Sequence, residues 1–212
     1  MKKTIAFCMI LIMLLSGCNT NKKTNDTALS DFKFASVEWG DDWETVQTYE
    51  IFKGVNILKE NGGRKTVKLQ QGEFLGVPLE DLGLVFSKNK IAETEGLVNV
   101  LMPFEEQHQD ELLLKLTELY GERKTSYLDK NGVENPINPA GWVSNETIEE
   151  VLTDEEKDYY ISLIPKDYDQ SRIDAMLRSP LVSIRLDEEN NFIEFNGNTA
   201  AIVRYIKSKY NN

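Results

Sequence analysis

Hydrophobic and polar positions divide this chain into an apolar start, a short polar stretch and a long region of alternating pattern. Ile5 to Leu15 is an uninterrupted apolar run, and residues 19–31 are rich in Asn, Thr, Lys and Asp. Periodic patterning begins at Phe32 and continues toward the C-terminus. These patterns predict a removable leader over 1–17, a flexible tether over 18–31 and a single α+β domain over 32–212.

The first part of the predicted domain combines one helix with several strands. Asp41 precedes Glu44 by three residues, which is capping-box spacing, and predicts a helix that carries Trp43 and Val46 on one face and ends at Gly54. Strand-like runs follow up to about residue 102, and two of them are separated by the turn sequence NGG. Asn-Gly between alternating runs indicates a hairpin, so we expect an antiparallel meander.

The second part of the predicted domain is richer in helices. An amphipathic helix is predicted from about Phe104 to Tyr120, with Gly121 as its cap. The stretch 122–142 contains two prolines and reads as an irregular loop. Further helices are predicted over 146–152, 154–164 and 170–178, then a closing hairpin and a terminal helix that begins at Asn198. The segment YYISLI at 159–164 fits a buried strand equally well.

The expected fold class is therefore α+β, an antiparallel sheet with helices packed on one face. Helix-then-strand order occurs twice, which leaves open a division into two weakly related αβ halves. About 180 residues is short for a two-lobed solute-binding protein, so we expect one core.

The apolar start has the features of an export signal. Lys2 and Lys3 provide positive charge before the apolar run. Eleven residues of helix reach roughly 16 Å at 1.5 Å per residue, about half of the ~30 Å that a membrane span requires. The segment is therefore predicted to be a cleaved leader rather than a transmembrane helix.

Leu15, Ser16, Gly17 and Cys18 follow the apolar run and resemble the bacterial lipoprotein signal. The resemblance implies cleavage before Cys18 and attachment of diacylglycerol to its thiol. Two acyl chains anchor a protein stably, whereas one holds it only marginally. The resemblance thus implies a membrane partner through the lipid anchor and a location on the extracytoplasmic face of the cell membrane. The alternative is a chance match inside an ordinary secretory signal.

Three segments of the domain carry a second resemblance: WGDDWETV at 39–46, GVPLEDLGLVFSKNKI at 76–91 and ELLLKLTELYGE at 111–122. Together they resemble secreted or lipid-anchored bacterial proteins built from small αβ repeats, such as β-lactamase-inhibitor-protein-like modules and outer-membrane-assembly lipoproteins. The resemblance covers about half of the chain. It implies an α+β repeat fold and carries over no functional residue.

Charge and cysteine content limit the possible partners and cofactors. The chain has 35 acidic and 24 basic residues, a net charge of −11 that becomes more negative when Lys2 and Lys3 leave with the leader. Nucleic acid is not expected as a partner, because phosphate binding needs clustered Lys and Arg. Only Cys18 would remain after cleavage, so neither an intramolecular disulfide nor a cysteine-based zinc site is expected. We predict no cofactor and no metal.

Catalytic patterns are sparse in this sequence. The single histidine, His108, stands near the start of a predicted helix, and no Gly-x-Ser-x-Gly motif accompanies it. Acidic pairs occur at Glu149–Glu150, at Asp154–Glu156 and at Asp187–Glu189, all in predicted helix starts or turns, where capping and solubility favour acidic residues. No catalytic residue is assigned.

Trp142 is the one candidate binding residue in the domain, because an aromatic side chain on a Pro- and Gly-flanked loop can stack on a ligand. The alternative is that Trp142 closes the edge of the core.

The sequence favours a non-enzymatic, lipid-anchored binding or assembly module that recognises an envelope protein or glycan. An envelope hydrolase that uses paired carboxylates is the alternative.

Overall fold

The computed structural model describes residues 37–88, 91, 95–128 and 132–210. Eight strands occur in these residues: β1 Ile57–Asn61, β2 Arg64–Phe74, β3 Val77–Lys88, β4 Glu95–Pro103, β5 Lys124–Leu128, β6 Glu134–Val143, β7 Ser183–Asp187 and β8 Phe192–Asn196. The α-helices are α1 Trp43–Val46, α2 Gln109–Tyr120, α3 Ile148–Val151, α4 Asp154–Leu163, α5 Gln170–Leu177 and α6 Asn198–Tyr210. Short 3-10 turns cover Glu50–Phe52 and Glu106–His108.

The eight described strands form one antiparallel sheet in the order β1-β2-β3-β4-β8-β7-β6-β5. The sheet consists of two four-stranded runs, β1 to β4 and β5 to β8, which join where β4 pairs with β8. A helix precedes each run, α1 in the first half and α2 in the second, and α3 to α5 are inserted between β6 and β7. The predicted α+β fold class is confirmed.

Strand alternation separates an apolar face of the sheet from a polar one. One row of cross-strand neighbours crosses five strands and is at most 1% exposed; it contains Leu84, Val100, Phe195, Ile184 and Trp142. Successive strand residues point to opposite faces. The next row therefore lies on the other side of the sheet, where Leu101, Glu194 and Arg185 are half-buried.

Helix α2 shows how helices and sheet share one core. Leu112 and Leu116 are fully buried and belong to the same apolar cluster as the sheet row. The ammonium group of Lys115 donates a hydrogen bond to the carbonyl of Leu75, in the β2–β3 turn, at 2.6 Å. Gly121 ends the helix with φ +80°, as predicted.

Residues 124–128 and 134–143 form a strand pair, so the prediction of an irregular loop over 122–142 was wrong. Strands β5 and β6 pair with Ser126 opposite Pro136. Strand β7 pairs with β6 only at residues 141–143. Pro136 and Pro139 come before residues 141–143. In that earlier part of β6, the strand has β5 on one side and no paired strand on the other. A missing N–H is tolerated at such an edge, and the prolines therefore do not interrupt the strand.

The first helix is shorter than predicted and begins one residue later. Asp42, not Asp41, is the N-cap, and its carboxylate accepts a hydrogen bond from the Thr45 amide at 2.6 Å. Asp41 is instead 7% exposed and accepts from the Glu38 amide at 2.9 Å. Both acidic side chains have partners, but only one of them caps the helix.

Candidate functional site

A half-open cleft of about 360 Å³ lies beside the first turn of α6 and is bordered by α3, α4 and α5 and by the end of β3. We call it the α6 cleft. Its apolar lining is Ile91, Ile148, Tyr160, Pro165, Tyr168, Met176 and Ile202, and its polar lining is Ser87, Lys88, Ser179, Asn198 and Thr199. An apolar pocket with a few polar groups at its rim is the usual form of a small-ligand site.

Two capping boxes fix the starts of the helices that form the cleft wall. In α3, the Glu150 carboxylate accepts hydrogen bonds from the amide and hydroxyl of Thr147, both at 2.9 Å. In α4, Glu156 accepts from the Thr153 amide at 2.9 Å. These caps satisfy amides that a helix start leaves without a partner. They thereby set the positions from which Ile148 and Tyr160 reach the cleft.

The hydroxyl of Ser144 connects the segments on either side of the helical insertion. It donates to the carbonyl of Glu146 at 3.0 Å and accepts from the amides of Leu181 and Val182 at 2.9 and 3.3 Å. The carbonyl of Leu181 in turn accepts from the amide of Ala200, in α6, at 3.0 Å. These hydrogen bonds hold together the segments that flank α3 to α5 and the start of α6, next to the lining residues Ser179 and Thr199.

Tyr160 keeps its proton at neutral pH. Burial raises the pKa of its phenol to about 12, because the charged form would lose its hydration. The side chain is 1% exposed and lines the cleft. Its phenol is therefore a neutral, buried part of the cleft wall.

The charge of the cleft differs from that of the whole chain. None of its described lining residues is Asp or Glu, and Lys88 is the only charged residue among them. A neighbouring cavity of about 280 Å³ shares Ser87 and Ile202 with the cleft but is lined by Asp42, Glu95 and Arg204. The two cavities flank α6 and differ in the charge that they offer a ligand.

The polar face of the sheet carries an ion-pair network rather than a pocket. Arg185 lies 3.2 Å from the carboxylate of Asp187 and 3.6 Å from that of Glu194, and its guanidinium is 5.1 Å from the ring centre of Phe192. Asn99 donates to Glu194 at 2.8 Å. Cross-strand pairs of this kind stabilise an exposed sheet face.

The predicted site residues do not meet in the cleft. Cys18 lies outside the described residues, so its lipid attachment stays a prediction. Trp142 lies in β6, is 1% exposed, and its indole N–H donates to the carbonyl of Gly121 at 2.7 Å. In this conformation its ring packs in the core and cannot stack on a ligand, so a binding role for Trp142 has no surface to act from.

The acidic pairs of the hydrolase hypothesis have structural partners. Glu150 and Glu156 belong to the capping boxes, Asp187 pairs with Arg185, and Glu188 lies 2.5 Å from Arg123. None of the predicted acidic pairs lines either cavity. His108, at the start of α2, lies 3.7 Å from Glu111. Within the described ranges, no group of three or more His, Cys, Asp or Glu side chains is arranged to hold a metal ion.

Comparisons with family models, curated proteins and solved structures found no match for this chain. The resemblances to lipoprotein signals and to small αβ-repeat modules therefore remain predictions. In the part of the chain that the structure describes, no helix combines the length and apolarity needed to cross a membrane.

No sequence pattern indicated the α6 cleft. Ile148, Tyr160 and Ile202 occupy ordinary inward positions of their helices, and Lys88 stands beside a predicted turn. Only the packing of α3, α4 and α5 against α6 brings these residues together. The sequence signals that could have pointed to these helices are the capping-box spacings of Thr147 with Glu150 and of Thr153 with Glu156.

Proposed function

We propose that this chain is a lipid-anchored binding protein on the extracytoplasmic face of a bacterial cell membrane, with the α6 cleft as its ligand site. The cleft is the observation that carries the binding function. Its lining is mainly apolar and includes hydroxyl and amide groups, and neighbouring backbone segments are joined by hydrogen bonds. These are the features that orient a small ligand in a preformed site.

The location rests on the leader sequence. The apolar run is too short to span a bilayer, and LSGC places Cys18 where a lipoprotein carries its diacylglycerol. Anchoring would hold the domain near the membrane through a tether of about a dozen residues, which covers roughly 20 Å root-mean-square.

Fractionation of cells that express the wild type and Cys18→Ser tests the location. We expect wild-type chain in the membrane fraction, extractable by detergent and carrying the mass of diacylglycerol. The Cys18→Ser chain should lack that mass. A wild-type chain that is cleaved but carries no lipid would overturn the anchor.

Native mass spectrometry of the full chain, extracted from its own membranes, tests the binding function. We expect a non-covalent small-molecule adduct on the wild type. Met176→Glu places a carboxylate in the cleft wall and should remove the adduct, whereas Leu114→Glu, at a 59% exposed position of α2, should retain it. Equal adduct levels on both variants would contradict a ligand site in the cleft.

The sequence-based expectation of an envelope protein or glycan as partner belongs to the same proposal. The size and apolar wall of the cleft favour a small molecule or one apolar group of a larger partner. The hydrolase alternative gains no support from a specific contact, since its carboxylates are used in caps and ion pairs away from the cleft.

A further inference from the structure

We infer that the α6 cleft selects an amphiphile with a medium-length aliphatic body and a carboxylate head. This inference rests on the proposed function, because it names the ligand class of the same site. Its basis is the volume of the cleft, the shape of its wall and the charge at its rim.

The volume sets the size of the occupant. At about 30 Å³ for one water molecule in the liquid, a cavity of about 360 Å³ has room for about a dozen non-hydrogen atoms. Decanoate has a matching number. A full phospholipid or an oligosaccharide is larger than the cleft and would extend beyond it.

The wall favours an aliphatic body over a sugar. Met176 and Ile91 are half-buried and supply flexible or branched aliphatic surface, and Ile148 and Ile202, which are 1% and 5% exposed, complete the aliphatic lining. A sugar would need an exposed aromatic ring on which to stack. One face of the Tyr168 ring is covered by the guanidinium of Arg172, which lies 3.6 Å from the ring centre. An alkyl chain needs no free aromatic face.

The rim favours a negative head. The chain has 35 acidic residues, yet none of the lining residues that the structure describes is acidic, while Lys88 is among them. Glu95 lies opposite Lys88 in the sheet register, but its carboxylate accepts a hydrogen bond from Lys65 at 2.8 Å. That hydrogen bond is also the main cause of the raised pKa of Lys65. The charge of Glu95 is thus already balanced by a second lysine.

The first turn of α6 adds positive potential to the same rim. Asn198 and Thr199 begin this 13-residue helix and line the cleft. The amides of Asn198 and Ala200 already donate to the Asn196 side chain and to the Leu181 carbonyl. The helix therefore contributes through its dipole, which favours an anion at this end. Serine and threonine hydroxyls at the rim can donate hydrogen bonds to a carboxylate.

Amide hydrogen exchange of the full chain in lipid nanodiscs tests the inference. Three probes of equal chain length are added separately: decanoate, decylamine, which is a cation at neutral pH, and 1-decanol. We expect decanoate to slow exchange in residues 199–202 at the lowest concentration. Met176→Glu should abolish this protection and Leu114→Glu should preserve it.

Lys88→Gln supplies a second variant at an exposed position that does not contribute to the core. We expect the apparent affinity for decanoate to fall about two- to fivefold, in line with a partly solvated charge pair. Lys59→Gln, at an exposed position of edge strand β1, removes the same charge elsewhere and should leave the affinity unchanged.

The outcomes separate the inference from the proposed function. If decylamine or decanol protects the first turn of α6 as well as decanoate, and Met176→Glu abolishes that protection, the carboxylate preference is wrong and the cleft remains a ligand site. If none of the probes slows exchange there, the inference is overturned, and the native mass spectra decide the proposed function independently.

Discussion

The guanidinium of Arg204, on α6, lies 2.5 Å from the carboxylate of Asp41, which precedes it by 163 residues. The Asp41 side chain is 6% exposed, whereas that of Arg204 is 48% exposed. Arg204 also donates to the carbonyl of Trp39 at 3.1 Å. This contact fixes the last helix of the described chain to the segment that precedes α1.

Arg204→Gln should therefore destabilise the fold. The substitution leaves a buried carboxylate without its charged partner, and we expect the free energy of unfolding to fall by about 1 to 3 kcal/mol. Chemical denaturation measures the loss.

Lys53→Gln is the matched control for this prediction. It removes a cation from the exposed pair with Glu50, whose side chains are 63% and 82% exposed. We expect a change within about 0.5 kcal/mol, since exposed pairs contribute little. Equal losses in the two variants would contradict a structural role for the Arg204–Asp41 pair.

Trp142→Phe separates a core role from a binding role. The substitution removes the indole hydrogen bond to Gly121 and leaves space next to Ile184, its cross-strand neighbour. We expect the free energy of unfolding to fall by about 2 to 4 kcal/mol. Ligand protection of the α6 cleft should persist under conditions in which the variant is folded. If a folded Trp142→Phe variant loses ligand protection of the α6 cleft, Trp142 contributes to binding.

Gly197→Ala should be poorly tolerated because of the ring of Trp39. A Cβ atom at position 197 would lie 2.0 Å from a carbon of that ring, much closer than packing allows. We expect a loss of about 1 to 3 kcal/mol or more from the displaced indole. Thermal unfolding checks this.

Gly132→Ala is the control for Gly197→Ala, because it adds the same Cβ atom at a position without a steric clash. A Cβ atom there meets no atom within 4 Å, although φ is +74°. Its cost should reflect backbone strain alone, of order 1 kcal/mol. If Gly197→Ala proves the milder of the two, the close packing of Trp39 on Gly197 is wrong.

Local signals predicted much of this fold. Strand-like runs are predicted up to about residue 102, Asn61 and Gly62 indicate the first hairpin, and a helix is predicted over 154–164, where α4 lies. In each case the physical cause lies within a few neighbouring residues, so a single sequence carries the information.

Other features depend on distant partners and could not be predicted. Asp41 and Asp42 give nearly the same local signal for a helix cap. Asp41 instead pairs with Arg204, near the other end of the chain, and Asp42 caps the helix. Pro136 and Pro139 indicated a loop, because sequence alone does not show that β7 pairs only beyond them. The α6 cleft is a product of tertiary packing and has no local signature.

The most direct test of the central claim locates a bound ligand on the full chain. In nanodiscs with methyl-labelled protein, nuclear Overhauser contacts are measured between the decanoate chain and side-chain methyl groups. We predict contacts to Ile148, Met176 and Ile202, which line the α6 cleft. Contacts confined to the exposed side chains of Leu58, Leu114 and Leu128 would contradict the claim that the cleft is the ligand site.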